Sequence, residues 1–247
     1  SFAPKYLCSV EDRLSMLNET GVDAVIPLDF DEEIAALEAE AFVQLLCKNL
    51  NLKILVVGPG FALGHKREGT VPALKELGEK YGFSVKNVTP LTEHSSLITS
   101  TSIREALKDG SVQRAADLLG RNFTLKGKVV KGEGLGHTLG FPTANLLSEN
   151  NIVIPNDGIY ATWSQFNDGI SVKKIKSATS IGVRPTFGEG HRTVESYILD
   201  YEGDLYGKSM TLEFVKRIRD EIQFESVDLL TDQMHMDVRD ARKILDN

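Results

Sequence analysis

Thr143 and Asn145 stand two residues apart behind Pro142, at the end of the stretch GKVVKGEGLGHTLGFPTANL (residues 127–146). In extended backbone, side chains at that spacing point to the same side, so a hydroxyl and an amide oxygen face one another's ligand. Upstream, Gly132, Gly134 and Gly136 alternate with larger residues. Without Cβ atoms, such a loop can lie directly against a phosphate chain. Mg²⁺ keeps several of its waters and bridges substrate phosphates, so two neutral protein oxygens suffice to hold it. The stretch therefore has the parts of a Mg-nucleotide site. A turn after a proline, with an Asx-type hydrogen bond, would account for Thr143 and Asn145 as well.

Phosphoryl transfer needs a nucleotide cradle, a metal and a positioned nucleophile, often with a base. Glu195 lies mid-run in TVESYILDY, with Thr193 and Tyr197 in its phase and Val194 and Ser196 facing the other way. No basic side chain within the run neutralises it, so this carboxylate is a candidate general base for a substrate hydroxyl. The alternative is an ordinary barrel-surface glutamate, solvated or paired to a lysine or arginine on an adjacent strand. The five histidines (His65, His94, His137, His191 and His235) show no two-ligand spacing, which argues against zinc. His137 and His191 sit in loops that could flank a nucleotide. A second group, Ser100, Thr101 and Ser102 ahead of a helix bearing Arg104, combines hydroxyls, free amides and a cation as an anion site would. Simple N-capping would explain those hydroxyls equally.

These residues need elements to place them. Residues 9–19 are predicted to form a helix capped by Ser9, and DAVIPLDF (23–30) a buried strand. A helix over 32–50, a strand over 53–58 apolar enough to be covered on both faces, a helix over 72–82 and a strand over 82–91 follow. Such alternation implies a parallel α/β sheet, which binds ligands at the carboxyl ends of its strands. GPGFALGHKREG (58–69) and LITSTSIREAL (97–107) fall where that rule puts a site. After a short helix at 111–120, the texture changes at Arg121 to short runs of β-branched and aromatic residues alternating with polar ones. Five or six such strands make a small barrel or sandwich. A helix from Ser226 carries Leu230, Met234, Val238, Ala241 and Leu245 at steps of three and four, read as packing against it.

The composition bounds the reading further. With 28 basic against 35 acidic residues the net charge is −7, against a nucleic-acid partner, which calls for a basic surface. No apolar run approaches a membrane span, and no signal peptide is expected. Cys8 and Cys47 have neither metal nor pairing pattern, so reduced thiols and a cytoplasmic location are expected. The chain begins SFAPKYL, without methionine or an opening strand, and reads as the middle of something longer.

Taken together, GKVVKGEGLGHTLGFPTANL, DGIYATW, SIGVRPTFG, RTVESYILDYEGDLYG and FVKRIRDEIQF resemble, in order and spacing, the kinase module of the bacterial bifunctional riboflavin kinase/FMN adenylyltransferase (FAD synthetase) family. The resemblance covers essentially the whole chain. It implies a Rossmann-like α/β nucleotidylyltransferase domain, incomplete at its N-terminus, over residues 1–120, then a six-stranded antiparallel β-barrel riboflavin-kinase domain with a C-terminal helix over 121–247. The implied activity is Mg-dependent transfer of the ATP γ-phosphate to the ribityl 5′-hydroxyl of riboflavin. Thr143 and Asn145 would help bind Mg-ATP, with Gly132, Gly134, Gly136, His137, Thr138, Pro142 and Tyr206 around the nucleotide. Glu195 would be the catalytic base, and Arg219, Glu221 and Phe224 would form part of a flavin-side flap. LITSTSIREAL resembles the family's S-S-T-x-I-R signature, which would turn Ser100, Thr101, Ser102 and Arg104 toward ATP in the first domain. The family's G-x-F-D-G-x-H-x-G-H run is absent, and GPGFALG has Gly60 where an acid is expected, so the first half as written is not expected to adenylate FMN. A non-catalytic flavin-binding barrel is the alternative, as is an active adenylyltransferase in a longer chain. Riboflavin and ATP are the expected partners, with FMN and FAD as products, and a monomer or weak oligomer is expected.

Overall fold

A computed structural model describes residues 5–93, 96–132, 134–167, 169–183 and 192–246. The chain packs as two compact units, residues 17–98 in one and residues 1–16 with 99–247 in the other. Packing therefore does not divide at residue 120, where the sequence texture changes.

Helix α1 (Val10–Asn18) opens as expected at Ser9, whose Oγ accepts the Asp12 N–H at 3.0 Å. Residues 23–30 are not the buried strand that DAVIPLDF suggested. They form no regular element, and Ile26, Leu28 and Phe30 are exposed. Pro27 brings no N–H to a ladder, and no described strand pairs with the run. The helix expected over 32–50 is broken into α2 (Glu32–Ala36) and α3 (Ala39–Leu50). The break is filled from the 58–69 loop: His65 N–H donates to the Leu37 carbonyl at 2.7 Å, and Glu68 Oε1 accepts the Ala39 N–H at 2.8 Å. Gly64 and Gly69 make this approach possible, since a Cβ on either would fall inside 3.0 Å of Ala39.

Strand β1 (Ile54–Val57) pairs in parallel with β4 (Ser84–Asn87), with α4 (Val71–Tyr81) between them. Two short antiparallel pairs complete the unit, β2 (Ala62–Leu63) with β3 (Gly69–Thr70) and β5 (Thr92–Glu93) with β6 (Ser96–Leu97). The β1 strand is covered on one face only, against expectation. Ile54 and Val56 are 49% and 58% exposed, whereas Val57 is buried. Val43, Leu74 and Phe83 form this unit's core.

In the other unit, α5 (Ser100–Lys108) and α6 (Val112–Leu119) lead into a closed antiparallel barrel. Its strands are β7 (Phe123–Val130), β8 (Thr143–Ser148), β9 (Gly158–Asn167), β10 (Val172–Val183), β11 (Arg192–Ile198) and β12 (Ser209–Arg219), closing in the order β10-β11-β8-β7-β12-β9. A single turn, α7 (Leu135–Thr138), lies between β7 and β8, and α8 (Val227–Leu245) follows the barrel with Ser226 as its N-cap.

Alternation along each strand decides what fills the barrel. Phe123, Leu125, Tyr160, Ile181, Leu212 and Phe214 turn inward and are buried. A second set of inward positions is polar. Thr162, Ser164, Ser177, Thr179 and Ser196 are fully buried, and their hydroxyls bond one another at 2.7–3.3 Å. Outside the barrel, α8 seats Ala241 and Leu245 on Ala161 and Ala178. The small residues at 161 and 178 let the helix come close to the sheet.

Candidate active site

The outer face of the β8–β11–β10–β9 wall carries the chemistry. Glu195 on β11 lies opposite Asn145 of β8 and Ser180 of β10, and Tyr197 lies opposite Thr143 and Ala178. Directly paired residues share a face, so Thr143, Asn145, Thr193, Glu195 and Tyr197 all project outward together. Opposite Tyr197, Glu195 and Thr193, strand β10 presents only Ala178, Ser180 and Gly182. That run of small side chains leaves a cavity of about 360 Å³, roofed by α8 and by the segment following β12.

Glu195 sits in this cavity's wall with 8% of its surface exposed. Its Oε2 accepts a hydrogen bond from Thr143 Oγ1 at 3.2 Å, and its Oε1 accepts one from Thr193 Oγ1 at 3.3 Å. A carboxylate this buried is not the solvated surface glutamate of the alternative reading. Gly136, Thr143, Arg219, Glu221 and Phe224 line the same cavity, which brings the candidate base together with all three expected flap residues. Glu221 reaches over Gly182 so closely that a Cβ there would collide with its carboxylate.

Asn145 and Gly132 line a second cavity of about 430 Å³, together with Lys131 and Arg192. The two are in contact: a Cβ on Gly132 would fall inside 3.0 Å of the Asn145 amide. Thr193 lines both cavities. Gly134, at a φ of +75°, gives the loop its turn before α7. Gly136 is held differently. It accepts the Phe141 N–H at 2.8 Å, and the Phe141 carbonyl occupies the space a Cβ would need. His137, Thr138 and Pro142 are exposed and line neither cavity. Tyr206 is also exposed, its N–H bonded to Asp204 Oδ1 at 2.8 Å. The next residue, Gly207, donates to the Val129 carbonyl at 2.8 Å, which ties this loop to the end of β7. Arg184 to His191, including most of the GVRPTFG loop, lie outside the described residues, as does His94.

The 100–104 group is placed otherwise than its sequence suggested. The helix starts at Ser100, so Ser100 and Thr101 are in its first turn and Thr99 is the N-cap. Thr99 Oγ1 accepts the Ser102 N–H at 3.1 Å and Ser102 Oγ accepts the Thr99 N–H at 3.1 Å, a reciprocal capping box. Arg104 Nε donates to the Lys5 carbonyl at 2.6 Å. Capping accounts for Ser102 without a ligand.

Sequence reasoning missed three parts of the cavity. Thr193 and Tyr197 share the phase of Glu195, but phase alone assigns them no role. Met234 and Val238 on α8, expected only to pack against the barrel, also line the cavity, and Val238 packs on the Ala161–Ala178 cluster as expected. Asp237, buried at 5%, was not noticed at all. Leu230, Met234 and Val238 recur at four-residue steps, and Asp237 falls beside them on that stripe, which was the available signal.

Hard-oxygen chemistry fits this wall. Among the described residues no three His, Cys, Asp or Glu side chains cluster to hold a metal. A cation here would be held by Thr143 and Asn145 oxygens together with water and phosphate, as suits Mg²⁺.

The riboflavin kinase family model matches residues 119–245, and the FAD synthetase model matches residues 2–102. The bifunctional riboflavin kinase/FMN adenylyltransferase of Escherichia coli K12 is 38% identical over 242 residues, covering 98% of this chain and 76% of that protein. The protein of the same name from Bacillus subtilis 168 is 32% identical over 249 residues, covering 99% and 77%. A solved structure from Streptococcus pneumoniae, titled a macrolide-efflux protein, superposes with a TM-score of 0.86 at 32% identity over 98% of this chain and 78% of that one. No helix among the described residues is long and apolar enough to cross a membrane, and what that structure adds is the shared fold. The two family models and the identity to these relatives agree, and the chain belongs to the bifunctional riboflavin kinase/FMN adenylyltransferase family.

Proposed function

We propose that the barrel phosphorylates riboflavin with ATP, giving FMN, and that Glu195 is the base. The observation that carries the assignment is the buried Glu195 carboxylate hydrogen-bonded to Thr143, inside a cavity that also holds Arg219, Glu221 and Phe224. Its largely apolar wall, with Phe224, Ile159, Leu139 and Met234, suits a flat aromatic ring system better than a sugar phosphate alone. With the ring there, the ribityl chain's terminal hydroxyl would reach Glu195, which accepts its proton as the oxygen attacks the γ-phosphorus. The phosphorus–oxygen bond to ADP breaks in the same displacement. Thr143, hydrogen-bonded to the base and a candidate to hold Mg-ATP, would align the two reactants. Asn145, Gly132 and Lys131 in the second cavity would face the ATP phosphates, with Gly134, Gly136, His137, Thr138, Pro142 and Tyr206 around the nucleotide. Mg²⁺, bound with ATP by Thr143 and Asn145, would neutralise charge on the phosphates. The functional halves we propose are residues 1–120 and 121–247, and the two half-buried free thiols favour a cytoplasmic setting.

The test is FMN formation from riboflavin and ATP by the protein and by Glu195→Gln and Thr143→Ala. A general base contributes about 10²–10⁴-fold, so Glu195→Gln should lose at least 100-fold in kcat while still binding riboflavin. Unchanged rates in both variants would sink the site assignment. A protein that binds riboflavin but forms no FMN would instead be a flavin-binding barrel.

A second activity is favoured by the FAD synthetase match over residues 2–102: adenylation of FMN to FAD. Ser100, Thr101, Ser102 and Arg104 are our candidates for its ATP contacts. Supplying FMN and ATP and measuring FAD by chromatography separates this activity from the kinase, because riboflavin is not needed.

A further inference from the structure

Arg219 closes β12 and reaches the cavity wall, but its guanidinium is already committed. Nε donates to Asp237 Oδ1 at 2.8 Å and Nη2 to Asp237 Oδ2 at 2.7 Å, a two-pronged pair. The remaining nitrogen, Nη1, donates to the Asp220 carbonyl at 2.8 Å. Each of the three nitrogens thus donates to the protein, and the guanidinium carbon lies 5.8 Å from the centre of the Phe224 ring. Held this way, Arg219 is a bracket for the 220–224 segment and its aromatic ring, and not a free donor swinging toward a ligand.

What fixes the bracket is Asp237. It stands on α8 between Met234 and Val238, both of which line the cavity, and its side chain is 7% exposed. A further bond, from Gln233 Nε2 to Asp237 Oδ1 at 3.0 Å, sets its rotamer from the preceding turn. One carboxylate therefore joins the roof helix, the end of β12 and the Phe224 segment.

Resting on the riboflavin-kinase reading above, we propose that Asp237 is a positioning residue for the flavin. By pinning Arg219 it holds Phe224 and the α8 roof at ring-stacking distance, without touching the phosphoryl-transfer atoms. Flavin affinity then depends on Asp237, while ATP affinity and the proton transfer at Glu195 do not. Removing the carboxylate frees the guanidinium inside the cavity and lets the segment swing. Asparagine keeps one acceptor oxygen for the fork and loses the charge, so it should fall between.

The experiment uses the full chain and compares the native protein, Asp237→Ala and Asp237→Asn. Riboflavin Kd is read by quenching of flavin fluorescence without ATP, and KM is read for each substrate. The expected result is a riboflavin Kd and KM raised about tenfold or more in Asp237→Ala and less in Asp237→Asn. The KM for ATP and the pH profile of kcat should stay as in the native protein. A riboflavin Kd unchanged in Asp237→Ala overturns the proposal. So does a parallel rise in both KM values, which marks general loosening, and so does a Kd rise that melting temperatures trace to unfolding in both variants. Should the native protein bind riboflavin but make no FMN, the kinase reading fails while the Kd comparison still decides the role of Asp237. Should it bind no riboflavin, both fail.

Discussion

Gly132 and Gly136, four residues apart, show how differently one Cβ can act. At Gly132 the obstructing atoms are the side-chain amide of Asn145, which can rotate away. At Gly136 the obstruction is the Phe141 carbonyl, a backbone atom that cannot move without opening the α7 turn. Gly132→Ala should therefore leave the melting temperature within about 2 °C, a shift of under ~1 kcal/mol. It should still displace the Asn145 amide, raising the KM for ATP and leaving that for riboflavin unchanged. Gly136→Ala should destabilise the fold by about 1–3 kcal/mol, the usual range for strained backbone. Thermal melts with the two KM values check both. A Gly132→Ala protein with native kinetics would remove Asn145 from the nucleotide side.

At the scale of the elements, the barrel's interior hydroxyls give a measurable quantity. Thr179 Oγ1 lies 2.7 Å from Thr162 Oγ1 and donates to Ser196 Oγ at 3.0 Å, all fully buried. Thr179→Val keeps the shape and removes both bonds, so partners are left short inside the barrel. The expected loss is about 1–3 kcal/mol by urea denaturation, with Thr179→Ser losing less because it keeps the hydroxyl. On the barrel's outside, Glu213 of β12 is pushed up by burial. The hydrogen bonds from Asn122 at 2.9 Å and Lys174 at 2.7 Å outweigh this and hold the carboxyl below its ordinary 4.5. A carboxyl depressed in the folded state contributes stability above its unfolded pKa and loses it as pH falls through the folded one. Glu213→Gln should thus cost about 0.5–1 kcal/mol at pH 7, a small figure because the pair is partly solvated. That difference should vanish on acidification below the carboxylate range, as a pH series of denaturation midpoints would show.

Legibility followed the same physics. The barrel strands could be read because inward and outward residues alternate, and Glu195 could be placed on its face by phase alone. The run 23–30 misled because its apolar residues are in fact exposed, and hydrophobicity without a pairing partner does not make a strand. The break at Leu37–Glu38 was invisible because it is made by Glu68 and His65, some thirty residues away. Asp237 was hidden for a similar reason: its meaning comes from Arg219, on another element. Long-range partners are what a single sequence conceals.

For the molecule as a whole, the division of packing bears on what can fold alone. Helices α5 and α6 belong to the barrel unit although they precede residue 120. The Asn156 N–H donates to the Leu107 carbonyl at 2.9 Å, and Gly110, at a φ of +73°, lies against the guanidinium of Arg217 with no room for a Cβ. Ile103, Leu107, Val112, Ala115 and Leu118 are buried on these helices. A fragment of residues 99–247 keeps all of these, whereas one of residues 121–247 strips the helices and exposes the surface they cover. Uncovering several buried side chains costs on the order of several kcal/mol, and each kcal/mol moves the melting point of a unit this size by roughly 2–4 °C. The shorter fragment should melt roughly 10 °C or more below the longer one, and its riboflavin kinase activity should fade at correspondingly lower temperature. Scanning calorimetry on both fragments, with FMN formation measured across the same temperatures, tests this. Equal melting points would show that the barrel is complete from residue 121 and that α5 and α6 only rest on it.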